Sequence, residues 1–125
     1  MTEGKVLGIG GVFLRSADPA RLAAWYRDML GFNATESGNP TPEGEWTWKQ
    51  EGGDTVFAAF AADSDYWQAE RQVMLNLRVS GLDALVTRLA AAGIGVSHQM
   101  QMDGVGSFAR IADCDGNPLE LWEPA

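Results

Sequence analysis

The sequence is short of the residue types that carry much protein chemistry. Its 125 residues include one cysteine, Cys114, and one histidine, His98. A single cysteine excludes an internal disulfide, and one isolated histidine gives no basis for a Ser-His-Asp arrangement. Basic residues are also scarce: nine Lys and Arg stand against seventeen Asp and Glu, a formal charge of −8. With no basic cluster, a polyanion would be repelled, which excludes nucleic acid as the expected partner. No apolar run is long enough to span a bilayer, so no membrane association is expected. The opening MTEGKVLGIGG lacks the charged-then-apolar build of a secretory signal. A cytoplasmic protein is therefore expected. The glycines of GIGG at 8–11 do not lead directly into a helix, as a phosphate-binding loop must.

What is present is core material. Hydrophobic residues make up 46% of the chain, ample for one domain of this length. Residues 9–15 (IGGVFLR) read as a strand. Asp18-Pro19 then supplies an N-cap and a first helical residue. Leu22, Trp25, Tyr26, Met29 and Leu30 share one helical face, and Gly31 is placed to end the helix. A Gly/Pro-rich loop at 37–45 precedes strand candidates at 46–49 and 55–61. The second half repeats the order: strand 73–79, a helix carrying Leu82, Leu85, Val86 and Leu89, a stop at Gly93, then strands at 95–102, 107–112 and 118–123.

Superposing the halves supports a repeat. At an offset of 63, Leu14 meets Leu77, Arg15 meets Arg78 and Leu22 meets Leu85. At 62, Gly31 meets Gly93, Phe57 meets Leu119 and Phe60 meets Trp122. The expectation is a single α+β domain over 1–125, made of two tandem βαβββ modules. Module one covers about 5–61 and module two about 71–124, joined by an acidic linker at 62–70.

Strand alternation then assigns directions. Leu75, Leu77 and Val79 should face a helix, as should Leu119 and Leu121, which sends Asn76, Arg78, Glu120 and Trp122 to the opposite side. Phe13 and Phe60 join that side by the same phasing, with Trp46, Trp48, Phe108 and Arg110 as further members. Large aromatics with a few polar groups suit a small-molecule cavity. In it, Phe13, Trp46, Trp48, Phe60, Asn76, Arg78, Phe108, Arg110 and Trp122 are the expected ligand-binding residues. Glu120 is the candidate catalytic carboxylate. In VSHQMQM, alternation groups Val96, His98, Met100 and Met102 against Ser97, Gln99 and Gln101.

Three stretches carry a resemblance: GGVFLRSADPARLAAWYRDMLGF, MLNLRVSGLDALVTRLAAAGI and SFARIADCDGNPLELWEP. Together they resemble the vicinal oxygen chelate superfamily, which includes glyoxalase I, bleomycin-resistance proteins, fosfomycin-resistance enzymes and extradiol dioxygenases. The last stretch is similar to the family's D-P-D-G-N-x-x-E-L, with Cys114 in the usual place of proline. The resemblance implies curved, cup-shaped mixed sheets with helices on their outer faces. It also implies metal-ligand positions at Gly11, Ala58, Met74 and Glu120. Only Glu120 carries a usual ligand, so neither a metal nor another cofactor is expected.

From this follows an expected glyoxalase/bleomycin-resistance-like protein with a degenerate metal site. It would sequester a small, partly aromatic or apolar molecule, with the homodimer common in the family. The alternative is an enzyme of lyase, isomerase or dioxygenase type, metal-independent or using an unusual ligand set that includes Glu120.

Overall fold

The structure is a computed structural model that describes residues 4–37 and 39–125. Residues 1–3, at the start of the segment read as lacking a signal, and residue 38, in the expected loop, lie outside the described residues. Six regular elements follow in order: α1 (Pro19–Leu30), β1 (Leu75–Arg78), α2 (Leu82–Ala91), β2 (Ser97–Met102), β3 (Gly106–Ala112) and β4 (Pro118–Pro124). From Leu75 onward the order is βαβββ, as the second module requires.

Helix α1 begins and ends where local chemistry dictates. The Asp18 carboxylate accepts from the Arg21 backbone N–H at 3.2 Å, and Pro19 occupies the first turn. At the other end Gly31 adopts φ 76, and its N–H donates to the carbonyls of Tyr26 and Arg27. Helix α2 has no side-chain cap from its own flank. The Glu123 carboxylate, from β4, accepts instead from the N–H groups of Gly81 (2.8 Å) and Leu82 (3.1 Å). A carboxylate there also complements the positive end of the helix dipole.

The four strands form one mixed sheet in the order β1-β4-β3-β2. Strands β1 and β4 are parallel, and the other two pairings are antiparallel. Alternation sets the two faces as expected. Leu119, Leu121, Ala109 and Ile111 are buried on one face with Leu82 and Leu89 of α2 and with Leu22 and Tyr26 of α1. Both helices therefore contribute to a single core against this sheet, rather than each helix covering a sheet of its own.

The first half departs from the expected strands. Residues 9–15, 46–49 and 55–61 run outside any ladder among the described residues, and their apolar side chains are open to solvent. Phe13 is 96% exposed and Phe57 92%. Alternation sets which way side chains point, but a strand also needs a hydrogen-bonding neighbour and a layer to cover it. In the second half the four strands pair with one another and the helices cover them, whereas the described first half brings to the shared core α1 together with Phe32 and Ala34 just after it.

Candidate functional site

The helix-free face of the sheet is built in rows of paired residues. One row runs Asn76, Glu120, Arg110 and Ser97 across β1, β4, β3 and β2, and the next runs Arg78, Trp122, Phe108 and Met100. Glu120 is central in the first row and is 8% exposed. Its Oε1 accepts from Asn76 Nδ2 at 2.8 Å and its Oε2 from the Tyr66 hydroxyl at 2.5 Å. Arg110 Nη2 lies 4.0 Å from Oε2, close enough for charge attraction but too long for a hydrogen bond.

Tyr66 comes from the stretch read as linker, and it closes over this row. Burial raises its pKa above the ordinary tyrosine value, and its bond to Glu120 pushes the same way; Arg110 opposes. The phenol is thus held as a donor. Arg110 also sits 4.8 Å from the centre of the Tyr66 ring, a cation–π contact. Trp67 is fixed beside it by donating from Nε1 to the Arg71 carbonyl at 2.7 Å. Phe60 stacks on Tyr66 at 5.3 Å and meets Trp67 edge-on at 5.1 Å.

Between this strap and strands β2 and β3 opens a cleft of about 660 Å³, within the usual size range for small-molecule sites. Asp63, Asp65, Tyr66 and Trp67 line one side, while Ser97, His98 and Arg110 line the other. Glu120 is not on the lining, because Tyr66 and Arg110 stand between it and the opening.

The expected ligand-binding set is therefore divided. Of its nine members only Arg110 lines the cleft. Phe60 supports the strap from behind, and Asn76 is committed to Glu120. Arg78 is engaged elsewhere, donating to the backbone carbonyls of Glu51 (2.9 Å) and Gly52 (3.4 Å). Phe108 and Trp122 stack as a cross-strand pair at 6.2 Å, and Trp122 Nε1 donates to the Val105 carbonyl. Trp48 stacks on Phe32 at 4.2 Å beside a smaller cleft of about 290 Å³. Trp46 and Phe13 are exposed.

Two features lie beyond simple alternation. Strand β2 has an irregular register between Ser97 and Met100, where His98 takes φ 50. Such a bulge advances one strand by a residue, so Ser97 and Met100 come to share the Arg110 face. His98 is left at the cleft, its Nδ1 2.8 Å from the Ser97 hydroxyl. The other feature is Tyr66-Trp67 itself, an aromatic pair inside an otherwise polar linker. That compositional break was the available signal for a packed strap.

The turn after β3 is locked by Asp113. Its Oδ1 accepts from the N–H groups of Asp115 and Asn117, and its Oδ2 from the Tyr26 hydroxyl (2.6 Å) and Asn117 Nδ2. Burial raises the Tyr26 pKa, and the bond to Asp113 adds to the rise. Burial likewise pushes the Cys114 thiol up, reinforced by Asp115 and Asp113 and opposed by Arg21. An un-ionised thiol is a poor nucleophile.

Comparison with known proteins places this geometry. Residues 11–122 match the profile of the glyoxalase-like domain family. None of the curated proteins matches the chain in sequence. Among solved structures, the chain is similar to TnmS3, an antibiotic binding protein from a Streptomyces species, with TM-score 0.59 and 24% identity over 96% of this chain and 100% of that one. It is also similar to a glyoxylase/bleomycin resistance protein/dioxygenase domain from a Frankia species, with TM-score 0.57 and 21% identity over 97% and 100%. A lactoylglutathione lyase from Agrobacterium tumefaciens gives 0.59 and 18% over 96% of both chains. At these identities the likeness is one of fold.

Proposed function

The chain belongs to the glyoxalase-like domain family of the vicinal oxygen chelate superfamily, and from that premise we propose that it binds a small, partly aromatic molecule in the Tyr66–Arg110 cleft without a metal. The observation that carries this reading is the buried guanidinium of Arg110. It lines a cleft of suitable size that Tyr66 and Trp67 also line, and its Nε has no hydrogen-bond partner among the described residues.

The residues at the family's metal positions do not fit a divalent cation. Gly11 and Ala58 offer no side-chain donor, and the Met74 thioether is too soft for a hard ion. Both oxygens of Glu120 already accept hydrogen bonds, from Asn76 and Tyr66. The Arg110 charge 4.0 Å away would repel a second cation. Stoichiometric metal in protein purified without chelator would overturn this half of the reading.

Binding is tested by screening hydrophobic and cationic compounds, antibiotics among them, through Trp fluorescence. A true ligand perturbs Trp67 and loses about tenfold or more in affinity, roughly 1.4 kcal/mol, on Arg110→Gln. If affinity for every ligand found is indifferent to both Trp67→Phe and Arg110→Gln, the cleft is not the site.

One observation favours a second reading, that of an enzyme. The Tyr66 hydroxyl lies 2.5 Å from Glu120 beside the cleft, a geometry able to take a proton from a bound substrate onto the Tyr66 oxygen while the hydroxyl proton passes to the Glu120 carboxylate. In that case Tyr66→Phe abolishes turnover while substrate still binds.

We also propose a homodimer located in the cytoplasm. The exposed apolar residues of the first half, Phe13, Val56 and Phe57 among them, form a surface that a second copy with the same strand-like alternation would cover. Light scattering showing monomer alone would refute the dimer.

A further inference from the structure

We propose that the ligand is amphoteric: a planar aromatic molecule with an oxygen acceptor, best a carboxylate, held by Arg110, and a cationic amine held by Asp63 and Asp65. This inference rests on the binding reading above and specifies its ligand class.

The acceptor end follows from the state of Arg110. The residue is 9% exposed, yet its Nε has no partner and its ion pair with Glu120 is stretched to 4.0 Å. Glu120 takes its hydrogen bonds from other donors, Tyr66 and Asn76. A guanidinium presents a fork of parallel N–H groups that matches a carboxylate. Nε is closed to solvent, so the donors left for a ligand are the two Nη groups, neither of which makes a hydrogen bond among the described residues. A ligand oxygen placed there gains more than it would at the surface.

The amine end follows from the opposite wall. Asp63 and Asp65 line the same cleft. Neither carboxylate is paired with a Lys or Arg among the described residues. They add to a chain whose formal charge is already −8. A simple anion drawn to Arg110 would meet this field, and a simple cation would leave the guanidinium unmatched. Only a ligand with both groups satisfies both walls. Trp67, on the same wall as the aspartates, supplies apolar surface for its ring system.

Xanthene dyes of one frame separate the two ends. The free-acid rhodamine carries a carboxylate and a cationic amine system, its methyl ester keeps only the cation, and fluorescein keeps the carboxylate without the amine. Binding to the intact protein is followed by fluorescence anisotropy. The free acid is expected to bind at least about tenfold more tightly than either relative. Arg110→Gln should erase the gap between acid and ester. The double substitution Asp63→Asn and Asp65→Asn should erase the gap between the free acid and fluorescein.

The aspartates are exposed, so their replacement keeps the test sound even if Arg110→Gln fails to fold. Equal binding of all three dyes, or tighter binding of the ester or fluorescein, overturns the proposal. So does binding of none of them. If the broader screen still finds ligands sensitive to Trp67→Phe, only the amphoteric assignment falls. If that screen also finds none, the binding function falls with it.

Discussion

The two halves of this chain carry similar instructions and reach different ends. Both pair strand-like alternation with an amphipathic helix, and both helices form. In the second half, four strands find one another and bury Leu119 and Leu121 completely or nearly so. In the first, comparable segments stay outside the ladder with Phe13 and Phe57 exposed. Hydrophobic pattern is thus a statement about which face wants cover, not about what provides it. The second half has its provider within reach, namely α2 together with the docked face of α1. The first half has given its helix to that same core, which leaves its extended segments without an apolar layer.

The sharpest way to break this contrast is to cut equally into both halves. Leu121→Ala removes a side chain with 0% exposure and should cost about 2–5 kcal/mol. Phe57→Ala, at 92% exposure, should leave monomer stability within about 0.5 kcal/mol. Urea unfolding measures both. Should the proposed dimer bury Phe57, the same substitution will instead lower the association constant, which dilution followed by light scattering detects. A large loss for Phe57→Ala in a strictly monomeric protein would contradict the structural asymmetry.

Next in size is Asp113→Ala. It strands four donors that now converge on one carboxylate, including the Tyr26 hydroxyl that ties α1 to the turn. A loss of about 2–4 kcal/mol is expected, again by urea unfolding. Since the Tyr26 link joins the two halves, Tyr26→Phe should recover part of that loss when combined with Asp113→Ala, and a double-mutant cycle reads the coupling.

A milder probe is alkaline pH. Tyr26 and Tyr66 both have pKa values raised by burial and by a carboxylate partner. A group whose folded pKa lies above its unfolded value stabilises the fold fully below the unfolded pKa, about 10 for tyrosine, and loses that contribution as pH rises through the folded value. Thermal midpoints should therefore decline from about pH 9 upward, and the decline should flatten in Tyr26→Phe. An unchanged slope in that variant would show that Tyr26 is not the group responsible.

How much of this was legible beforehand depends on the range of the interaction. The ends of α1 were readable from Asp18, Pro19 and Gly31, because capping is local. The facing of Leu119 and Leu121 away from Glu120 was readable because alternation is geometric. The bulge at His98 was not, since a register shift depends on the partner strand rather than on residues 95–102 alone. Tyr66 and Trp67 were passed over as linker because charge dominates their neighbours. Their packing rests on contacts of Tyr66 with Glu120 and Arg110 that no short window reveals. Arg78 is the converse case: the sequence placed it on the correct face but could not show that Glu51 and Gly52 occupy its donors.

That capture of Arg78 supplies the finest test of the contrast, through two glycines. At Gly106, φ is 134, and an added Cβ would fall 2.1 Å from the Glu123 carbonyl oxygen and 2.9 Å from the Pro124 Cα. Those atoms are backbone of the paired sheet and cannot withdraw. At Gly53 an added Cβ would meet Arg78 Nη1 at 2.2 Å, the far end of a flexible side chain. That collision is relieved by rotating the guanidinium off the carbonyls of Glu51 and Gly52. Gly53→Ala should accordingly change stability by no more than about 0.5 kcal/mol, while hydrogen exchange and proteolysis near residues 51–53 accelerate. Gly106→Ala should instead behave as a core lesion. If Gly53→Ala proved equally damaging, the loop would have to be held by more than Arg78, and the first half would be more firmly docked than its exposed side chains imply.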